Sequence, residues 1–138
     1  MSETSERGAV AVEFALLAPV LIMLLLGIME FGRAYNVQIS LSNAAREGAR
    51  VMAINYAAPT ATTTAKAAAI SAASVLSPSL TNDKIAFKYQ TTPASTPAPT
   101  ACAANVQVTV TIDYNLSTMT GIAGPFPMKG VGTMQCGG

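Results

Sequence analysis

Residues Ala9–Met29 read AVAVEFALLAPVLIMLLLGIM, an apolar run with a single charge, Glu13. A helix that crosses a bilayer needs about 20 mostly apolar residues at 1.5 Å rise each, and this run meets that length. Pro19 leaves the Ala15 carbonyl without its helical donor and predicts a slight kink. Lipid offers the backbone few other ways to pair, so the run predicts a spanning helix, with its membrane part over residues 10–29. The preceding MSETSERG is polar and is expected to be unstructured in water, a leader over residues 1–8.

Helical periodicity continues past the run. Phe31, Tyr35, Leu41, Ala45, Ala49, Met52 and Tyr56 recur at three- and four-residue intervals, with a polar interruption at Gln38. Arg33, Asn36, Ser40, Asn43, Glu47 and Arg50 follow the same interval on the other side. Two complementary stripes at this period define an amphipathic helix. With no proline between Val20 and Ala58, one helix is expected over residues 9–56, roughly 70 Å long, amphipathic over 30–56.

Residues 57–138 are expected to form a small α+β domain packed on the long helix. Pro59 and the TATTT stretch mark a break, and AKAAAISAASVL, residues 65–76, predicts a short helix capped by Thr63 or Thr64 and ended before Pro78. KIAFKYQT (84–91) alternates as a strand, and TTPASTPAPTA (91–101) is a Pro/Thr/Ala loop. In NVQVTVTIDY (105–114), Val106, Val108, Val110, Ile112 and Tyr114 alternate with Gln107, Thr109, Thr111 and Asp113. Strict period two with β-branched residues predicts a strand with one buried face. A loose turn over 117–125 then leads to a return strand over 128–135. The fold class is therefore α+β: a long N-terminal helix carrying one short helix and about three antiparallel strands, with a thin core.

Composition narrows the function. A net charge of +1 gives no field that would attract nucleic acid or clamp a membrane electrostatically. Charged residues make up 11% of the chain, roughly half the usual share, and histidine is absent, which removes many acid–base and zinc designs. Of seven carboxylates, Glu3, Glu6 and Glu13 precede or enter the apolar run, leaving Glu30, Glu47, Asp83 and Asp113. Two cysteines alone cannot make a four-ligand zinc site. The expectation is a non-enzyme with no catalytic residues, no metal and no cofactor.

Cys102 and Cys136 flank the two C-terminal strands. If these form a hairpin turning near residue 119, the cysteines meet, and a disulfide across their separation contributes about 3–4 kcal/mol in the chain-entropy model. It also requires an oxidising compartment. The alternative is two unrelated small apolar residues. Ala45, Ala49 and Ala53, with Ala44 and Gly48, form a small-residue face that suits either close packing on other helices or a seat for the domain's own sheet; the strands need such a seat, which favours the second. Arg46 and Arg50, one turn apart, read first as a solvated face. Asn115-Leu116-Ser117 fits a glycosylation acceptor, a pattern so short that it is usually accidental.

Three readings address Glu13. It can lie near the membrane surface at the positive end of the helix dipole, where its cost is small. Residues 1–34 can form a secretory signal cut near Gly32-Arg33-Ala34, although the leader lacks the expected basic character. The third rests on spacing: Gly8 ends the polar leader, Glu13 follows five residues later, and Phe14 and an apolar helix come next. This resembles the processing site of type IV pilins and pseudopilins. More narrowly, AVEFALLAPVL, GIMEFGRA and NAAREGAR, in order over roughly residues 7–50, are similar to the TadE-like family, which accompanies tight-adherence (Flp) pili.

The resemblance implies a minor pilin or pseudopilin, cleaved between Gly8 and Ala9, with Glu13 and Phe14 acting in assembly. It implies a prepilin peptidase, other pilin subunits, the inner-membrane assembly machinery and membrane lipid as partners, and no nucleic acid. It also implies a precursor crossing the inner membrane once, its domain extracytoplasmic and in the end extracellular in a pilus. Arg33, Arg46 and Arg50 follow the span, whereas the leader holds only Arg7, so charge counting alone favours the opposite orientation. The rival reading is an uncleaved single-pass anchor bearing an extracytoplasmic binding module.

Overall fold

A computed structural model describes residues 3–119, 121 and 124–137, with side chains from Gly8 onward. One unbroken helix, α1 (Glu3–Ile54), is followed by α2 (Ala61–Ala72), a 3-10 turn (Asn82–Lys84) and strands β1 (Ile85–Thr91), β2 (Val106–Leu116) and β3 (Phe126–Gln135). The strands form an antiparallel sheet in the order β1-β2-β3. This is the expected α+β class.

The sheet, α2 and the second half of α1 make a small head. All six inward residues of β2, from Val106 to Leu116 in steps of two, are buried, as the period-two pattern requires. Leu41, Ile112, Leu116, Val108 and Val110 are the largest fully buried side chains, so the core is thin. Small residues compensate by allowing close approach. Gly48 and Ala49 of α1, with Ala61, Ala65, Ala69 and Ala73, are buried, and a Cβ on Gly48 would lie 3.2 Å from Ala69 Cβ. The small-residue face of α1 is thus a seat within the head, not a free surface for another helix.

β3 rests on α1 through Gly130 and Gly132. A Cβ on Gly130 would strike the Leu41 carbonyl, and one on Gly132 would lie 2.5 Å from the Ala45 carbonyl and the Arg46 nitrogen. Two strand residues span about 6.6 Å and one helical turn about 5.4 Å, so the glycines meet successive turns. Register pairs them with Ile112 and Val110 of β2, whose larger side chains fill the space alongside.

Three expectations need correction. Residues 1–8 are not all unstructured, since α1 begins at Glu3; acidic residues suit the positive end of a helix, and adding turns to an existing helix avoids the nucleation cost. Phe31 and Tyr35 do not share the buried stripe, being 79% and 70% exposed. The stripe begins instead at Val37 and continues through Leu41, Ala44, Ala45, Ala49, Met52 and Ala53. Finally, α2 begins at Ala61 without a side-chain cap, and Thr63 and Thr64 lie inside it. Burial of Ala61 and Ala65 outweighs the modest helix propensity of threonine.

Candidate functional site: a bare membrane-length helix and its junction with the head

The head begins at about Glu30, and α1 below it is unpartnered. The apolar window of this helix has a mean hydropathy of 2.6 and none of it is buried, which makes it long and apolar enough to cross a membrane. From Val10 to Met29 its large apolar side chains stand open, Phe14 at 71% exposure. Apart from the Ala15 carbonyl opposite Pro19, helical hydrogen bonding satisfies the backbone internally, as lipid demands.

Gly8 and Ala9 lie exposed on the second turn of α1. Among the described residues nothing stands within 4 Å of the position a Gly8 Cβ would take, so none of them requires a glycine there for packing. Glu13 is exposed on the bare segment, and among the described residues nothing bonds to it. Its neighbour Phe14 borders the shallow apolar surface formed with Leu17, Ala18 and Leu21. The structure therefore places Gly8, Ala9, Glu13 and Phe14 together on one short free stretch of helix.

The junction holds residues that periodicity alone did not single out. Arg33 donates from Nη1 to the Ser117 carbonyl at 2.7 Å and from Nη2 to the Ser77 carbonyl at 3.4 Å. One turn earlier, Glu30 Oε2 accepts the Met119 N–H at 3.2 Å, while its Oε1 is buried without a partner. Gln38 Nε2 donates to the Lys129 carbonyl at 3.0 Å. These contacts tie the β2–β3 turn and the α2–β1 linker to α1, and charge-assisted bonds are the stronger kind. Tyr114 adds a bond from its phenol to the Pro78 carbonyl at 3.0 Å. Burial raises the Tyr114 pKa above its usual value, and the nearby Arg33 guanidinium offsets this in part.

At the opposite end of the head, Cys102 and Cys136 are bonded, with Cα atoms 5.7 Å apart. The hairpin alone does not bring them together, because Cys136 N–H bonds the Val106 carbonyl at 2.8 Å and so lies level with Val106. A turn closed by Val106 N–H and the Ala103 carbonyl at 3.1 Å folds Cys102 back. Asn105 takes the left-handed conformation that this turn needs, at φ 65°. The hairpin register also centres its turn near Gly121 rather than 119, since Leu116 pairs with Phe126. Among the described residues no group of three or more His, Cys, Asp or Glu is placed to hold a metal.

A single membrane-length helix bearing a disulfide-closed α+β head defines the class. Residues 8–50 match the family model described as TadE-like protein, so the chain carries a TadE-like segment. The match starts at Gly8, takes in Glu13, Glu30 and Arg33, and ends with the helix face that seats β3 and α2. No curated protein and no solved structure matches the chain.

Proposed function

We propose that this chain is a minor pilin or pseudopilin of the Tad pilus, inserted in the inner membrane as a precursor, cut between Gly8 and Ala9, and then contributing to assembly or structure of the fibre. Glu13 carries the reading: a lone exposed carboxylate on a bare apolar helix, five residues beyond the glycine where the family match begins. A carboxylate in low dielectric requires an opposite charge, and cleavage would create one as the α-amine of Ala9 on a neighbouring subunit. Gly8 suits a peptidase that needs close backbone approach, and as a poor helix former in the second turn it eases local unwinding there.

The partners of this reading are the prepilin peptidase, other pilin subunits and the inner-membrane assembly machinery. The leader faces the cytoplasm and the head the extracytoplasmic side. Supporting that orientation is the Cys102–Cys136 disulfide, which persists in oxidising compartments. It is set against the positive charges after the span, of which Arg33 is engaged by head carbonyls and Arg50 lies 3.6 Å from Glu47. The reading assigns no catalysis and no cofactor. Glu13→Gln keeps the side-chain shape and removes the charge. It should leave cleavage intact and deplete the subunit from sheared pili or from complexes with other pilins; unchanged incorporation would contradict the role given to Glu13.

A further inference from the structure

We infer that the lower rim of the head is a membrane-docking surface, so that the head rests on the lipid interface rather than standing clear of it. Exposed large apolar residues of the head occur higher up as well, at Ile54 and Val131, but at this rim they come together from separate segments. Val75 follows α2 and is 79% exposed, Met119 lies in the β2–β3 turn at 63%, and Phe126 opens β3 at 45%. Val75 and Met119 share an open groove of about 870 Å³ that starts at Met29, where the apolar run ends, and climbs α1 past Arg33 and Asn36 to Asn43. Phe126 is four residues before Gly130, which sits on Leu41. That is about 13 Å down the strand, level with about residue 32 of α1.

The helix presents Phe31 and Tyr35 outward at the same height, where aromatic residues mark a membrane–water boundary. The charges at this height are turned away from the rim. Glu30 accepts from the Met119 backbone and Arg33 donates to the Ser77 and Ser117 carbonyls, so neither projects below the head. Further up, Lys129 and Asp113 pair at 3.3 Å, both largely exposed. Apolar loops below and charges above suit the boundary between acyl chains and headgroups. The continuity of the rim with the bare helix selects lipid as the occupant.

The inference rests on α1 spanning the membrane, and the test separates the two. The chain has no tryptophan, so an introduced one is the only indole present. Single variants Leu21→Trp, Val75→Trp, Met119→Trp and Thr96→Trp of the full chain are placed in phosphatidylcholine vesicles with or without bromine on the upper acyl chain. Positions 75, 96 and 119 are exposed, so these changes leave the core untouched. The expected result is loss of emission in brominated vesicles for Leu21→Trp, Val75→Trp and Met119→Trp, and none for Thr96→Trp at the far end of the head. Quenching of Leu21→Trp alone would overturn docking and leave the span standing. Absence of quenching at Leu21→Trp would overturn both. Blue-shifted but unquenched emission at 75 and 119 would show protein covering the rim and overturn docking, as would equal quenching at all four positions.

Discussion

Replacing Gly132 by alanine tests whether the head is seated on α1 as described. The added methyl would lie 2.5 Å from the Ala45 carbonyl and the Arg46 nitrogen, backbone atoms in the middle of a helix. Neither can rotate aside, so β3 must retreat by roughly 1 Å and loosen its packing on Leu41 and Ala45. Overpacking costs about 1–3 kcal/mol, and backbone against backbone belongs at the upper end. Reduced freedom of the unfolded chain returns about 0.4–1 kcal/mol where the native conformation suits alanine. The net loss is about 2 kcal/mol, a fall of about 8–16 °C in the unfolding midpoint of a domain this size. The assay is thermal unfolding of the oxidised full-length protein in detergent, followed by circular dichroism in the strand region. Gly48→Ala is the internal contrast: its Cβ meets the Ala69 methyl at 3.2 Å, and helix propensity favours alanine by about 1 kcal/mol, so its midpoint should change little. A Gly132→Ala protein that melts with wild type would refute the strand-on-helix seating.

Loss of the disulfide should matter more than any single hydrogen bond. With the cysteines separated by 34 positions in sequence, Cys102→Ser with Cys136→Ser should cost about 3–4 kcal/mol in denaturant unfolding, and an unchanged midpoint would mean the bond constrains nothing. Tyr114 predicts an alkaline limit. Because burial raises its pKa in the folded state, its contribution is intact below about pH 10, the unfolded value, and is lost as pH climbs through the higher folded value. Half-buried Tyr89 is shifted the same way, also by burial. Tyr114→Phe should cost about 1 kcal/mol at neutral pH through the lost bond to Pro78 and flatten, without abolishing, the alkaline decline. Midpoints that fall equally with pH in both proteins would place the decline elsewhere.

Much of this architecture was legible where the sequence alternates strongly. The β2 pattern named every inward residue from Val106 to Tyr114, and the apolar run fixed the first half of α1. Periodicity could not say which face of the second half meets the head, so Phe31 and Tyr35 were grouped with Leu41 although the head does not cover them. The same limitation hid the junction, because Glu30 and Arg33 bond backbone atoms of turns distant in sequence. One signal was available for the seating of β3: the paired glycines of KGVG, placed inside a strand where they weaken it unless a backbone approaches closely. TATTT after Pro59 suggests a break, whereas Ala61 within it and Ala65 just after it pack into the head and carry the helix through the threonines. Around Gly8 and Glu13 the sequence carried nearly all the information; the structure adds that both are exposed and that the packed head lies well above them.

The most direct test of the proposed function is the N-terminus of the protein extracted from membranes or pili, read by intact mass and peptide sequencing. A chain beginning at Ala9 supports cleavage after Gly8 and the creation of the amine that Glu13 is proposed to meet. A chain that still begins at Met1 or Ser2 would contradict the pilin reading and leave Glu13 as an ordinary carboxylate near the end of an anchor helix.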